Sequence, residues 1–324
     1  MLLKDIYCPL CKGIMENLSK DDAEKHGVTY SYENCLRKCT KCEVGFSNAM
    51  SNPTLIYKNY SENIPLEVWD YLDTVISNAL NERNRKTKLK RLGYNSSEDA
   101  LTWTVFRYFQ KRDKLSQLIQ KAIETPSVGN ASIYYWGVPL KNNGRIDQAK
   151  QKTLVKTLED LGENKQSLSE PDIILEDDET IVIFEVKFGS SNDKQEATNK
   201  WEKYDNNNYF NKSILKNPAL KEYQLVRNWC IGNLLAKKSG KRFTLVNLIF
   251  KDNNSNDLFK FKKTIKQTPK ANFKSLNWQT LLKDIIEPDD SKWLISWLKT
   301  RKPKLDFFAG KVRVEHEEEK MEVV

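Results

Sequence analysis

Residues 170–191 read EPDIILEDDETIVIFEVKFGSS. Two apolar runs, IIL and TIVIFEVKF, flank a short acidic link, Asp177-Asp178-Glu179, and this pattern predicts two strands joined by a tight turn. Side chains alternate across a strand, so Glu185 and Lys187 share one face and Val186 points to the other. A carboxylate and an ammonium on an apolar strand are costly unless they are paired or used. A cross-strand ion pair is one use. Asp172, just after Pro171, offers another, because a turn over 176–180 folds it back beside Glu185. Two converging carboxylates suit a hard divalent cation such as Mg2+, which takes oxygen ligands and keeps several waters. A lysine beside such an ion can position or deprotonate a water, while the cation neutralises phosphate charge. That is the minimum chemistry for cutting a phosphodiester.

Outward from this pair, the chain reads as a mixed α/β protein. A stripe of apolar residues at helical spacing predicts a helix over 65–92, ending in the basic run RNRKTKLKR. Its six cations, Arg83, Arg85, Lys86, Lys88, Lys90 and Arg91, are one-sided and fit phosphate contact, or else a solvated helix end. A second helix is expected over 96–124, with Ser96 and Asp99 resembling a capping box. A strand over 131–140 and a polar helix near 146–161 precede the opening stretch. Helices over 192–205 and 219–238 and a strand over 243–250 come after it, and the remainder looks helical. Arg227 and Gln224 share a face of their helix. Arg227 is a candidate for a phosphate path or a surface ion pair, and Gln195 and Glu196 are further candidates near the metal.

Five of the six cysteines fall within the first 42 residues. Cys8-Pro-Leu-Cys11 and Cys39-Thr-Lys-Cys42 form two CxxC knuckles separated by 27 residues. Two such knuckles match a closed four-thiolate Zn2+ site, which holds together a segment too small to bury its own core. Cys35 and His26 are spare candidates for a ligand position. Cys230 reads as a core residue.

The net charge of +9 favours a polyanionic partner. No run of 18 apolar residues occurs, so no membrane span is expected. The first residues lack the apolar core of a signal peptide, so a cytoplasmic protein is expected.

Pro171-Asp172, twelve intervening residues and Glu185-Val186-Lys187 resemble the PD-(D/E)xK signature of restriction-endonuclease-like nucleases. A closer resemblance is to bacterial restriction endonucleases that carry an N-terminal cysteine knuckle like CTKCEVGFSNA and a SEDALTW helix. The resemblance implies a central mixed sheet flanked by helices, with an N-terminal zinc-binding segment. It implies a Mg2+-dependent endonuclease acting on double-stranded DNA, in restriction or anti-phage defence, leaving 5′-phosphate ends. Asp172 and Glu185 would then bind Mg2+ with the carbonyl of Val186, and Lys187 would orient the attacking water. Glu98, with Asp99 as its rival, would assist through water or a second ion. The expected division is a zinc-knuckle segment over 1–60, a basic helix and linker over 61–95, a nuclease core over 96–255 and a helical extension over 256–324. A homodimer is a reasonable expectation for double-strand cutting. The rival reading is an inactive nuclease fold that binds DNA through its zinc segment and basic helix.

Overall fold

A computed structural model describes residues 6–15, 19–49, 53–190, 192, 198–206, 208–217, 220–250, 256–282, 285–286 and 292–301. The two strands of the opening stretch lie at the centre of a six-stranded mixed sheet flanked by helices. Across the sheet the order is Ala271–Asn277, Arg242–Ile249, Thr180–Val186, Ile173–Glu176, Ser132–Tyr135 and Val138–Leu140. The first three run parallel, and every later pairing is antiparallel.

The acidic link makes the turn as expected. The Asp177 amide donates to the Thr180 carbonyl, and its own Oδ1 accepts the amides of Glu179 and Thr180 at 2.9 and 2.7 Å. An aspartate that binds amides two and three residues on is a local turn-former. Every residue of Thr180–Val186 is buried, because helices cover both faces. Val182, Phe184 and Val186 share one core with the helix Glu98–Lys111, while Ile181 and Ile183 share the other with Tyr223–Ser239.

Several elements are shorter than the periodicity suggests. The stripe over 65–92 is a turn of 3-10 helix and two helices, Leu72–Asn78 and Glu82–Leu92. Val75, Ile76 and Ala79 join one core, but Leu80 packs against the other. A stripe with apolar neighbours on both sides of a break keeps its period through the break. The helix over 96–124 divides into Glu98–Lys111 and Leu115–Ile123, with Asp113 in the left-handed region at φ 53°. Its first turn is capped by Ser97, one residue beyond the expected Ser96. The run over 131–140 is a hairpin whose turn residues, Trp136 and Gly137, both have positive φ. A Cβ at Gly137 would lie 2.4 Å from Leu80 Cδ1. Beyond residue 255 the chain is not helical throughout, since Ala271–Asn277 forms the parallel edge strand. Its alternation of buried and exposed residues is that of a strand with one covered face.

The cysteine segment carries a three-stranded antiparallel sheet of Arg37–Cys39, Val44–Phe46 and Leu55–Tyr57. It is stitched to the turn after the basic helix: the Asn95 amide donates to the Leu55 carbonyl, and Asn95 Oδ1 accepts the Leu55 amide. The last described residue closes on the same region, where the buried Arg301 donates to Asn63 Oδ1 at 2.7 Å. No helix among the described residues is long and apolar enough to cross a membrane.

Candidate active site

Antiparallel pairing of Ile173 with Phe184 brings Asp172 beside the strand end that carries Glu185, Val186 and Lys187. Asp172 Oδ2 accepts the Val186 amide at 2.8 Å. Glu185 is fully buried and Lys187 nearly so. Lys187 Nζ donates to Glu185 Oε1 at 2.5 Å. Asn228, fully buried on the helix Tyr223–Ser239, donates its Nδ2 to Glu185 Oε2 at 2.7 Å. Arg227 Nη2 lies 3.8 Å from the same oxygen. Asn247 is the register partner of Glu185 in the next parallel strand.

Burial and the charge of Glu185 push the Asp172 carboxyl up to about 8. Burial disfavours the charged form of Lys187, but the carboxylates of Glu185, Asp172 and Glu98 outweigh it and hold the ammonium above the usual lysine range. The donors fit a hard divalent cation. Two carboxylates repel one another in a buried site, and a cation relieves that repulsion. Asp172 also keeps Oδ1 without a hydrogen-bond partner among the described residues, at a position lining an open cleft.

That cleft has a volume of about 2330 Å³, beyond the usual range of small-ligand pockets. Asp172, Val186 and Lys187 lie along it, with Gln224 and Arg227 beside them. Gln195 and Glu196 fall outside the described residues.

Glu98 lies beside the lysine end of the strand, but one of its oxygens is occupied. Glu98 Oε1 accepts the amides of Phe188, Gly189 and Ser190 at 2.8, 3.3 and 3.2 Å, and the Ser190 hydroxyl at 2.7 Å. It braces the loop that leaves the strand after Lys187. Asp99 is instead paired with Lys88 at 3.4 Å.

The basic run does not act as one surface. Lys88, Lys90 and Arg91 line the cleft, but Lys88 is held between Asp99 and Glu170, above the Trp136 ring. Arg85 donates to the Ala79 carbonyl, and it borders with Arg83 a separate hollow of about 640 Å³. Lys86 is exposed and lines neither.

The sulfurs of Cys8, Cys11, Cys39 and Cys42 lie within 4.8 Å of one another. Cys11 and Cys39 are 3.6 Å apart, near the edge of about 3.8 Å of a tetrahedron with metal–sulfur bonds of about 2.3 Å. The Gly13 amide lowers the Cys11 thiol to about 7, and the hydrogen bond with Cys11 raises Cys42 to about 12. This donor set fits Zn2+. Cys35 stands apart, donating to the Ser31 carbonyl, and burial pushes its thiol up to about 11. His26 is exposed and is not one of the grouped ligands.

Asn228 and the brace role of Glu98 escaped the sequence reading. Asn228 adjoins the candidate Arg227, but a single asparagine on a helix carries no signal of what it faces. No curated protein and no solved structure matches the chain. A family model described as Restriction Endonuclease associating with ARP matches residues 20–301, and the chain belongs to this family of restriction endonucleases.

Proposed function

We propose that this protein is a Mg2+-dependent DNA endonuclease of the PD-(D/E)xK type, acting on duplex DNA in restriction or anti-phage defence. Family membership supports a nuclease hydrolase with DNA as its substrate. The observation that carries the finer reading is the Asp172–Glu185–Lys187 cluster at the edge of a large cleft. Asp172, Glu185 and the Val186 carbonyl hold the ion. Bound Mg2+ supplies a lowered water pKa and positive charge at the phosphate. Lys187 orients the attacking water, and its contact with Glu185 fixes the ammonium for that task. Glu98 holds the loop after Lys187 through Oε1, leaving Oε2 to reach the site through water. Arg227 and Asn228 keep Glu185 in place from the helix behind it. Zn2+ on the four cysteines is structural. Two copies act together where both strands are cut, which equilibrium sedimentation with and without DNA tests.

Plasmid incubated with the purified chain should be nicked or linearised in Mg2+ and untouched in EDTA. Lys187→Ala should lower the rate by at least about a hundredfold. A wild-type chain that binds DNA but cleaves none with any divalent metal is a binding protein, and this reading is then wrong.

A further inference from the structure

The cleft lined by Asp172 and Lys187 has a second wall, made of the cysteine segment. Four consecutive residues, Val28, Thr29, Tyr30 and Ser31, lie along it. Val28 and Tyr30 are 55% and 63% exposed. Two apolar side chains this exposed on one wall of a charged cleft give a bound partner an apolar surface to touch. The loop is not loose. Thr29 is buried and its Oγ1 accepts the Ser31 amide at 3.1 Å. The Tyr94 hydroxyl donates to the Tyr30 carbonyl, and the two rings lie 5.9 Å apart.

Tyr94 lies just beyond the end of the basic helix, so one residue fixes the loop relative to Lys90 and Arg91. Both of these cations are exposed, line the same cleft and carry no ion pair among the described residues. The wall therefore offers two kinds of contact side by side. Unpaired cations suit phosphates, and a valine methyl group with a tyrosine ring suits base edges. We propose that the zinc segment is a substrate-reading wall of the cleft, where Val28 and Tyr30 touch the bases of bound duplex DNA and Lys90 and Arg91 neutralise its phosphates. The proposal rests on the nuclease reading for its ligand.

Binding and cleavage test the two separately. A fluorescently labelled mixed-sequence duplex is titrated, over a range of salt, with the zinc-loaded full chain carrying Lys187→Ala. Tyr30→Ala should weaken binding about tenfold and leave the salt dependence unchanged. Lys90→Ala and Arg91→Ala should each lower the slope of log K against log salt by about 0.9. Val28→Asp should also weaken binding, by setting a carboxylate against the polyanion. Equal zinc content and melting temperature show that each variant is folded. If Tyr30→Ala and Val28→Asp both bind as the parent does, the proposal is overturned, and it is overturned too if the parent binds no duplex. Wild-type cleavage with unaltered binding by these variants leaves the nuclease standing and removes the reading wall. Weakened binding with no wild-type cleavage does the reverse.

Discussion

Asp172 accepts the backbone amide of Val186 at 2.8 Å, so the carboxylate that opens the motif is tied to the peptide between the motif's other two side chains. Asp172→Asn keeps an oxygen to accept that amide and removes only the charge. Cleavage should fall by at least about a hundredfold while the melting temperature does not fall. Activity near the wild-type level would show that Asp172 is not a metal ligand.

The same carboxyl sets a pH dependence in the metal-free protein. Burial and Glu185 raise it from 3.8 to about 8. Across that window the folded chain holds a proton that the unfolded chain has released. Stability therefore falls as pH rises from about 4 to about 8 and levels off above. Thermal melts in EDTA should show the advantage of Asp172→Asn over wild type growing between about pH 5 and about pH 8. A constant difference would reject the shift.

Glu98 separates into two roles by substitution. Glu98→Gln preserves an oxygen for the amides of Phe188, Gly189 and Ser190, so the fold should hold. Loss of its charge should lower cleavage by at least roughly tenfold. Glu98→Ala orphans those amides and should lower both the melting temperature and the rate. Full activity in Glu98→Gln would leave bracing as its whole contribution.

Lys88 and its neighbours divide the basic helix by function. Lys88→Ala strips the partner from Glu170 and Asp99, and both carboxylates are mostly buried. Chemical denaturation should show a loss of roughly 1–3 kcal/mol. Lys86→Ala, on an exposed side chain outside the cleft, should change neither stability nor DNA affinity.

Metal analysis of the purified chain should find one zinc. Serine at Cys8, Cys11, Cys39 or Cys42 should release it and unfold the N-terminal segment. Cys35→Ser should retain it, because that thiol points to the Ser31 carbonyl. Zinc lost from Cys35→Ser as readily as from Cys11→Ser would place Cys35 among the ligands.

Local chain geometry made part of this site legible before any fold was known. A period of two put Glu185 and Lys187 on one face. The acidic link Asp177-Asp178-Glu179 made the turn that returns Asp172 to them. Paired knuckles brought two sulfurs together at each end of a longer loop. The partners those groups meet were legible only in the folded chain. Folding set Asn228 against Glu185, occupied one oxygen of Glu98 with a loop 90 residues away, held Lys88 between two carboxylates and laid Val28 to Ser31 along the same cleft that Asp172 lines. It also broke the stripe over 65–92, since Val75 and Leu80 face different cores. Periodicity records that a side chain is covered and on which face, whereas the identity of the covering group depends on elements distant in the chain that meet only when it folds.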